Sequence, residues 1–178
     1  MDQRKKQRGS ITLETAIVLP IFFFMFMALI GLFRVVVAQN QMTHVLVQAT
    51  KSMSLDPYLA DSAGADSLAN VVLKLSSSSH RDYFASNDKW YAGGDANATA
   101  KKRFIGYLTG GDVAAAQDKL EGIGIVNGLN GVTFDTNVSG ENLTVTISYE
   151  IQYWFDMFGM GKIPMKQTMY SRLWQTQK

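Results

Sequence analysis

The sequence has no cysteine, and it has only three prolines and two histidines among its 178 residues. The absence of cysteine excludes disulfide bridges, thiol nucleophiles and cysteine-ligated zinc. An exported domain without disulfides has to be stabilised by its packed core, which is more typical of bacterial surface proteins than of small secreted eukaryotic domains.

Excess charge of either sign is also missing. The chain has 17 Lys and Arg against 15 Asp and Glu, which gives a net charge of +2. Four of the basic side chains precede the first apolar run, and these are Arg4, Lys5, Lys6 and Arg8. The remainder is therefore close to neutral, and without a basic face we predict no nucleic-acid partner.

Signals for catalysis or metal binding are weak. His44 falls on the polar face of a predicted helix, and the Ser, His and Asp around His80 form a run, whereas a hydrolase triad is assembled in space. The spacing of Asp56, Asp61 and Asp66 does not match a calcium loop, so we expect them in solvated, capping or turn positions. We predict no enzyme activity, no catalytic residue, no metal, no cofactor and no small-molecule substrate.

A long apolar run dominates the N-terminal part of the chain. The segment "TAIVLPIFFFMFMALIGLF", residues 15–33, is uncharged and long enough to cross a hydrocarbon core of about 30 Å. Pro20 lies inside it and should weaken or kink the helix, and Arg34 closes it. Since the basic cluster lies on one side only, we predict a single-pass protein of the bacterial cytoplasmic membrane with a cytoplasmic N-terminus and an extracytoplasmic C-terminal domain.

Three interpretations of this segment differ in where the chain is cut. A secretory signal would be cleaved near Ala38, a plain signal anchor would stay intact, and a prepilin-type leader would be cut before the apolar run. The last explains Glu14 through a resemblance to the leaders of type IV pilins and pseudopilins, which end in a short basic stretch and a glycine and are followed by a glutamate as the fifth residue after the cut. A cut between Gly9 and Ser10 would make Glu14 that fifth residue. The alternative role for Glu14 is stabilisation of the first helical turn through the helix dipole.

The predicted cut also gives Glu14 a specific partner. Cleavage would free an amine on Ser10 with an ordinary pKa of about 7.7–8.0. In an assembly of packed helices, Glu14 of one subunit would pair with the Ser10 amine of a neighbour. Because an unpaired charge is costly in apolar surroundings, such a pair would select the axial register of the helices more than it would add stability.

Residues 8–34, "RGSITLETAIVLPIFFFMFMALIGLFR", resemble the TadE-like family of the tight-adherence (Tad) pilus system, in the variant of Gram-positive bacteria. The ending "MFGMGKIPMKQTMYSRLW", residues 157–174, is similar to the C-terminal strand region of those proteins. The resemblance implies a minor pilin or pseudopilin that a prepilin peptidase processes and that acts in pilus assembly. Its implied partners are membrane lipid, that peptidase, other pilin or pseudopilin subunits and the pilus assembly platform.

The resemblance leaves the role within the pilus open. The chain is much longer than a major Tad pilin, which favours an accessory or minor subunit over the bulk fibre protein. A different class of function remains as the alternative, a membrane-anchored extracellular binding protein that never polymerises. The sequence does not distinguish a tip from a shaft position.

The pattern of apolar residues divides the chain into three parts. We predict a leader over 1–9, an N-terminal helix over 10–54 and an α+β domain over 55–178. The helix has its membrane part at 15–33 and an amphipathic spine at 35–54, with Pro57 disfavouring helix beyond it. Apolar residues recur in the spine every three or four positions, which places them on one face of the helix: Val35, Ala38, Met42, Val45, Ala49 and Met53.

The α+β domain at 55–178, called the outer domain below, begins with short helices and ends with strands. Helices are predicted at 66–75, 99–108 and 112–120, the last capped by Asp112, with a loop at "GGDANAT". Strict alternation over 143–153 predicts a half-buried strand, preceded by a hairpin partner at "GVTFDTNV". After a loop at 156–164, a third strand follows in 165–174. The expected fold is a long helix packed on a small antiparallel sheet.

An aromatic group follows the central strand. Four aromatic residues lie close together in the sequence, near Met157 and Met160: Tyr153 and the three residues Trp154, Phe155 and Phe158. Packing in the core is the default interpretation. The alternative is an exposed apolar tip that contacts another subunit or the outer membrane leaflet, which makes the three aromatic residues a possible partner contact.

Overall fold

The computed structural model describes residues 3–62, 83–84, 90–153 and 161–174, with side chains placed at 14–58 within the first range. These residues form the predicted α+β fold, a long N-terminal helix with a three-stranded antiparallel sheet and short helices between them. The predicted helix at 66–75 and the aromatic group Trp154, Phe155 and Phe158 lie outside the described residues.

The first helix, α1 (Gln3–Ser62), has 60 residues. At 1.5 Å per residue it is about 90 Å long. It continues through Pro20, and it also continues through Pro57, so the predicted end at Ser54 is wrong. A proline removes one helical hydrogen bond, here the bond to the Met53 carbonyl. The helix continues because Met53, Ser54 and Pro57 are packed in the core, and the free energy gained by burying their apolar atoms offsets the loss. The Ser54 carbonyl, one residue further on, accepts a hydrogen bond from the Trp174 backbone N–H at 3.0 Å.

The predicted apolar face of α1 is confirmed. Val35 is half-buried, and the other members of the face are at most 4% exposed: Ala38, Met42, Val45, Ala49 and Met53. Leu46 adds a further buried side chain on this half of the helix. Burial of one large aliphatic side chain stabilises the fold by about 1.5–3 kcal/mol. This face therefore fixes the C-terminal half of α1, called its upper half below and beginning at about residue 38, on the domain.

Two short helices follow, and aspartates cap both. In α2 (Ala96–Thr109) the Asp95 side chain accepts a hydrogen bond from the Ala98 N–H at 2.9 Å. The helix therefore starts inside the segment "GGDANAT", which was predicted to be a loop. In α3 (Val113–Gly122) the Asp112 side chain accepts a hydrogen bond from the Ala115 N–H at 2.9 Å, which confirms the predicted cap.

The sheet has the order β1-β2-β3 and is antiparallel throughout. Its strands are β1 (Thr133–Ser139), β2 (Asn142–Gln152) and β3 (Lys162–Arg172). β3 begins three residues before the predicted strand and includes Pro164, which was expected in a loop. Proline is tolerated there because β3 is an edge strand, where a missing N–H breaks no ladder on the open side.

The alternation predicted for β2 is confirmed. The residues of its inner face are at most 3% exposed: Leu143, Val145, Ile147, Tyr149 and Ile151. Helix α1 covers this face beside β2 and β3, and α2 covers it beside β1. At the second contact the rings of Phe104 and Phe134 meet edge to face, with centroids 5.4 Å apart. The predicted cover of the sheet by α1 is therefore correct but incomplete, because α2 shares it.

Candidate functional site

The N-terminal half of α1, called its lower half below and ending at about residue 37, extends beyond the packed domain. Most of its large apolar side chains are exposed to between 43% and 69%, Phe33 being the most exposed, whereas Met27 and Val35 are half-buried. Within the described residues this is the one helix long and apolar enough to cross a membrane, by length and composition. Such a surface requires an apolar environment, and the chain is therefore a single-pass, membrane-anchored protein.

The residues predicted to matter for processing and assembly lie on this extended part of α1. Glu14, Pro20 and Arg34 have exposed side chains. Gly9 and Ser10 lie on the same helix, which already begins at Gln3. Four residues separate Ser10 from Glu14, which is about 6 Å along the helix axis. The structure thus places the predicted cleavage junction and the predicted acid within about one helical turn of each other.

Among the described residues, the contact of the domain with α1 that lies nearest the N-terminus of the helix involves Tyr153, which follows the end of β2. Its hydroxyl donates a hydrogen bond to the Ala28 carbonyl at 3.0 Å. Its ring lies over Gly31, where an added Cβ would come within 2.8 Å of a ring carbon. Glycine at this position therefore lets the domain approach the helix about two turns below the start of the fully buried face at Ala38.

A second contact lies at the level of Gln39. The Gln167 side chain on β3 donates hydrogen bonds to the Gln39 carbonyl at 3.2 Å and to the Tyr149 hydroxyl at 3.0 Å. Burial raises the pKa of Tyr149 to about 12, so this phenol stays neutral at physiological pH. The bond to the Gln39 carbonyl adds a polar contact between the sheet and α1 at the lower end of the core.

A third contact is a buried ion pair near the C-terminal end of α1. Asp56 receives two hydrogen bonds of 2.8 Å from Nη2 of Arg103 on α2, and one of 2.8 Å from the Trp90 indole N–H. The side chains of Arg103 and Asp56 are 0% and 6% exposed. Burial raises the pKa of Asp56, and the positive charge of Arg103 partly offsets that effect.

The expectation that Asp56 is solvated or part of a turn is therefore wrong. Asp56 lies inside a helix and inside the core. Within the described part of the chain, Nε and Nη1 of Arg103 have no hydrogen-bond partner, so the pair is incompletely satisfied. The one signal in the sequence was Arg103 itself, a charged residue beside the apolar residues of "RFIGYL".

The contact of Tyr153 with Gly31 can be tested with two backgrounds. Alanine is about 1 kcal/mol better than glycine inside a helix. In the native background we expect Gly31→Ala to yield no such gain, because the new Cβ displaces the Tyr153 ring and breaks its hydrogen bond, which is worth about 0.5–1.5 kcal/mol. In a Tyr153→Ala background the same change should stabilise the protein. Urea unfolding in detergent measures the difference, and equal effects in both backgrounds would show that the two residues are not coupled.

Comparison with known protein families gives a match that lies on α1. The model of the family described as TadE-like protein matches residues 9–50. No curated protein matches the chain. No solved structure matches it either. The matched range begins at the Gly9–Ser10 junction, covers the exposed part of α1 and ends within its buried face, so residues 9–50 are similar to the TadE-like family.

Proposed function

We propose that this protein is a minor pilin or pseudopilin of a Tad-type pilus, cut between Gly9 and Ser10 by a prepilin peptidase and active in pilus assembly. The observation that carries the proposal is the apolar, exposed lower half of α1 within the TadE-like match. The matched range begins at residue 9, the residue on the amino-terminal side of the proposed cut.

The geometry supports two successive environments for α1. Before assembly, the exposed apolar side chains lie in lipid, which solvates them without a protein partner. In the filament, the same side chains pack against the helices of neighbouring subunits. Transfer between two apolar environments costs little hydrophobic free energy, so polar contacts decide the outcome. The proposed pair of Glu14 with a neighbouring Ser10 amine is such a contact.

The outer domain acts in this proposal by binding and not by catalysis. Its contacts with α1 through Tyr153, Gln167 and Arg103 hold it on the helix, so its surfaces move with the helix as one unit. Those surfaces are proposed to contact other pilin subunits and the assembly platform. The protein is proposed to face the outside of the cytoplasmic membrane, with its N-terminus in the cytoplasm.

The proposal predicts the N-terminus of the mature protein. Protein purified from cells with an active prepilin peptidase should begin at Ser10, as shown by N-terminal sequencing and intact mass. A Gly9→Leu variant should retain Met1, because a bulky side chain replaces the glycine that directly precedes the cut. A Gln7→Leu variant, changed two residues further away, should still be processed. An intact Met1 in the native protein would instead support a non-polymerising anchor, and a start at Gln39 would support a secreted protein.

A further inference from the structure

We propose that the outer domain lies directly against the outer leaflet and that lipid covers a collar of apolar side chains at its base. The collar consists of Leu32, Phe33, Val36 and Val37, which are 54%, 69%, 50% and 60% exposed. This proposal rests on membrane anchoring and on the orientation proposed above. It does not depend on cleavage or on assembly into a filament.

The first argument is the overlap between the domain and the apolar surface of α1. The domain already contacts α1 at Gly31 through Tyr153, whereas exposed apolar side chains continue on other sides of the helix up to Val37. Residues 32–37 span about 9 Å along the axis. A helix with one packed side and one side in water carries polar residues on the water side. Here, apart from Arg34, exposed polar residues begin only at Gln39 and Asn40.

The second argument is the depth that the span imposes on Tyr153. The uncharged segment 15–33 is about 28 Å long, close to the hydrocarbon thickness of about 30 Å. If this segment fills the hydrocarbon core, Ala28 and Gly31 lie about 3–8 Å below the level of Phe33. The Tyr153 ring that contacts them is then at the depth of the outer leaflet.

The third argument is the chemistry of the residues at this level. Tyrosine is enriched at membrane interfaces, and the Tyr153 hydroxyl is bonded to the Ala28 carbonyl, so it is not left unsatisfied in lipid. Arg34 lies between the two pairs of collar residues, and its long side chain is able to reach the headgroups. The collar is also continuous with the apolar surface below it, from Ile17 to Ile30, which makes lipid the occupant that the structure favours.

The absence of cysteine makes a direct test possible, because a single introduced cysteine will be the only thiol. Full-length protein would be labelled with an environment-sensitive fluorophore at Phe33→Cys or Val37→Cys and placed in phosphatidylethanolamine–phosphatidylglycerol vesicles. Phe22→Cys, inside the span, and His44→Cys, exposed above the collar, are the matched controls. All four side chains are exposed on α1, so labelling should leave the thermal unfolding of the domain unchanged.

We expect brominated lipid to quench the labels at 33 and 37 more than the label at 44. We expect aqueous iodide to quench the labels at 33 and 37 less than the label at 44. Iodide quenching at 33 and 37 equal to that at 44 would overturn the proposal, because water would cover the collar. If neither quencher reaches the labels at 33 and 37 and energy transfer occurs between labelled copies, the proposal would also be overturned, because a second subunit would then cover the collar. N-terminal sequencing of the same sample reports separately on the proposed processing.

Discussion

Replacement of Arg103 by methionine is expected to destabilise the outer domain by about 3–5 kcal/mol, because it leaves the Asp56 carboxylate buried without its counter-charge. Methionine keeps most of the buried volume, so the loss reports on charge and hydrogen bonding and not on a cavity. The Trp90 indole is the one remaining hydrogen-bond donor to Asp56 that the structure describes. Urea unfolding of the full-length protein in detergent, followed by tryptophan fluorescence, measures the effect.

The matched control for this variant is Arg172→Met. Arg172 pairs with Glu141 at the surface, where its side chain is 77% exposed. An exposed pair contributes at most about 1 kcal/mol, so this variant should be nearly as stable as the native protein. Similar stabilities of Arg103→Met and Arg172→Met would show that the buried pair does not hold α1 on the domain.

The double variant Asp56→Leu, Arg103→Met should recover much of the stability lost in the single variant. Two apolar side chains leave no unpaired charge, and such replacements of buried pairs are often neutral or stabilising. Acidification should also reduce the defect of Arg103→Met. Burial raises the pKa of Asp56 in the folded state, and loss of Arg103 raises it further. The folded state then binds a proton more readily than the unfolded one, so the variant gains stability as the pH falls towards about 4.

Replacement of Glu14 by leucine is expected to leave membrane insertion intact and to remove the protein from assembled filaments. Insertion should persist because leucine is more favourable in lipid than a carboxylate is. Assembly should fail because the Ser10 amine of a neighbour would lose its partner in apolar surroundings. A hydrogen bond to a charged group is worth about 1.5–3 kcal/mol, which corresponds to at least about a tenfold loss of incorporation per subunit. Immunoblots of sheared filaments and of membranes measure the two quantities.

Three control variants separate charge pairing from helix stabilisation at Glu14. Glu14→Asp keeps the charge and should retain part of the assembly, whereas Glu14→Gln keeps the size and should assemble poorly. Thr15→Leu adds apolar surface next to Glu14 and should assemble normally. Normal incorporation of Glu14→Leu would contradict the pairing role and leave only the helix-dipole effect of about 0.3–1 kcal/mol.

The sequence alone determined the features that repeat at short range. The apolar run at 15–33 is recognised from its composition and length. The buried face from Ala38 to Met53 and the alternation in β2 are recognised from their spacing, because residues at those spacings share one side of a helix or strand. The Asp112 cap was also readable, because capping depends on a side chain and the backbone three residues later. Glu14 and the Gly9–Ser10 junction were found from their spacing, and their roles in processing and assembly stay predictions.

Only the tertiary structure decided the contacts that fix the helix on the domain. Asp56 meets Arg103 across 47 residues of sequence, and Tyr153 meets Ala28 across 125. These partners are chosen by packing between distant elements, and a local period carries no information about them. The same packing overrides local preference where α1 continues through Pro57, because buried neighbours compensate for the lost hydrogen bond. Local chemistry thus specifies which surfaces are apolar, whereas the folded arrangement determines which of them remain uncovered.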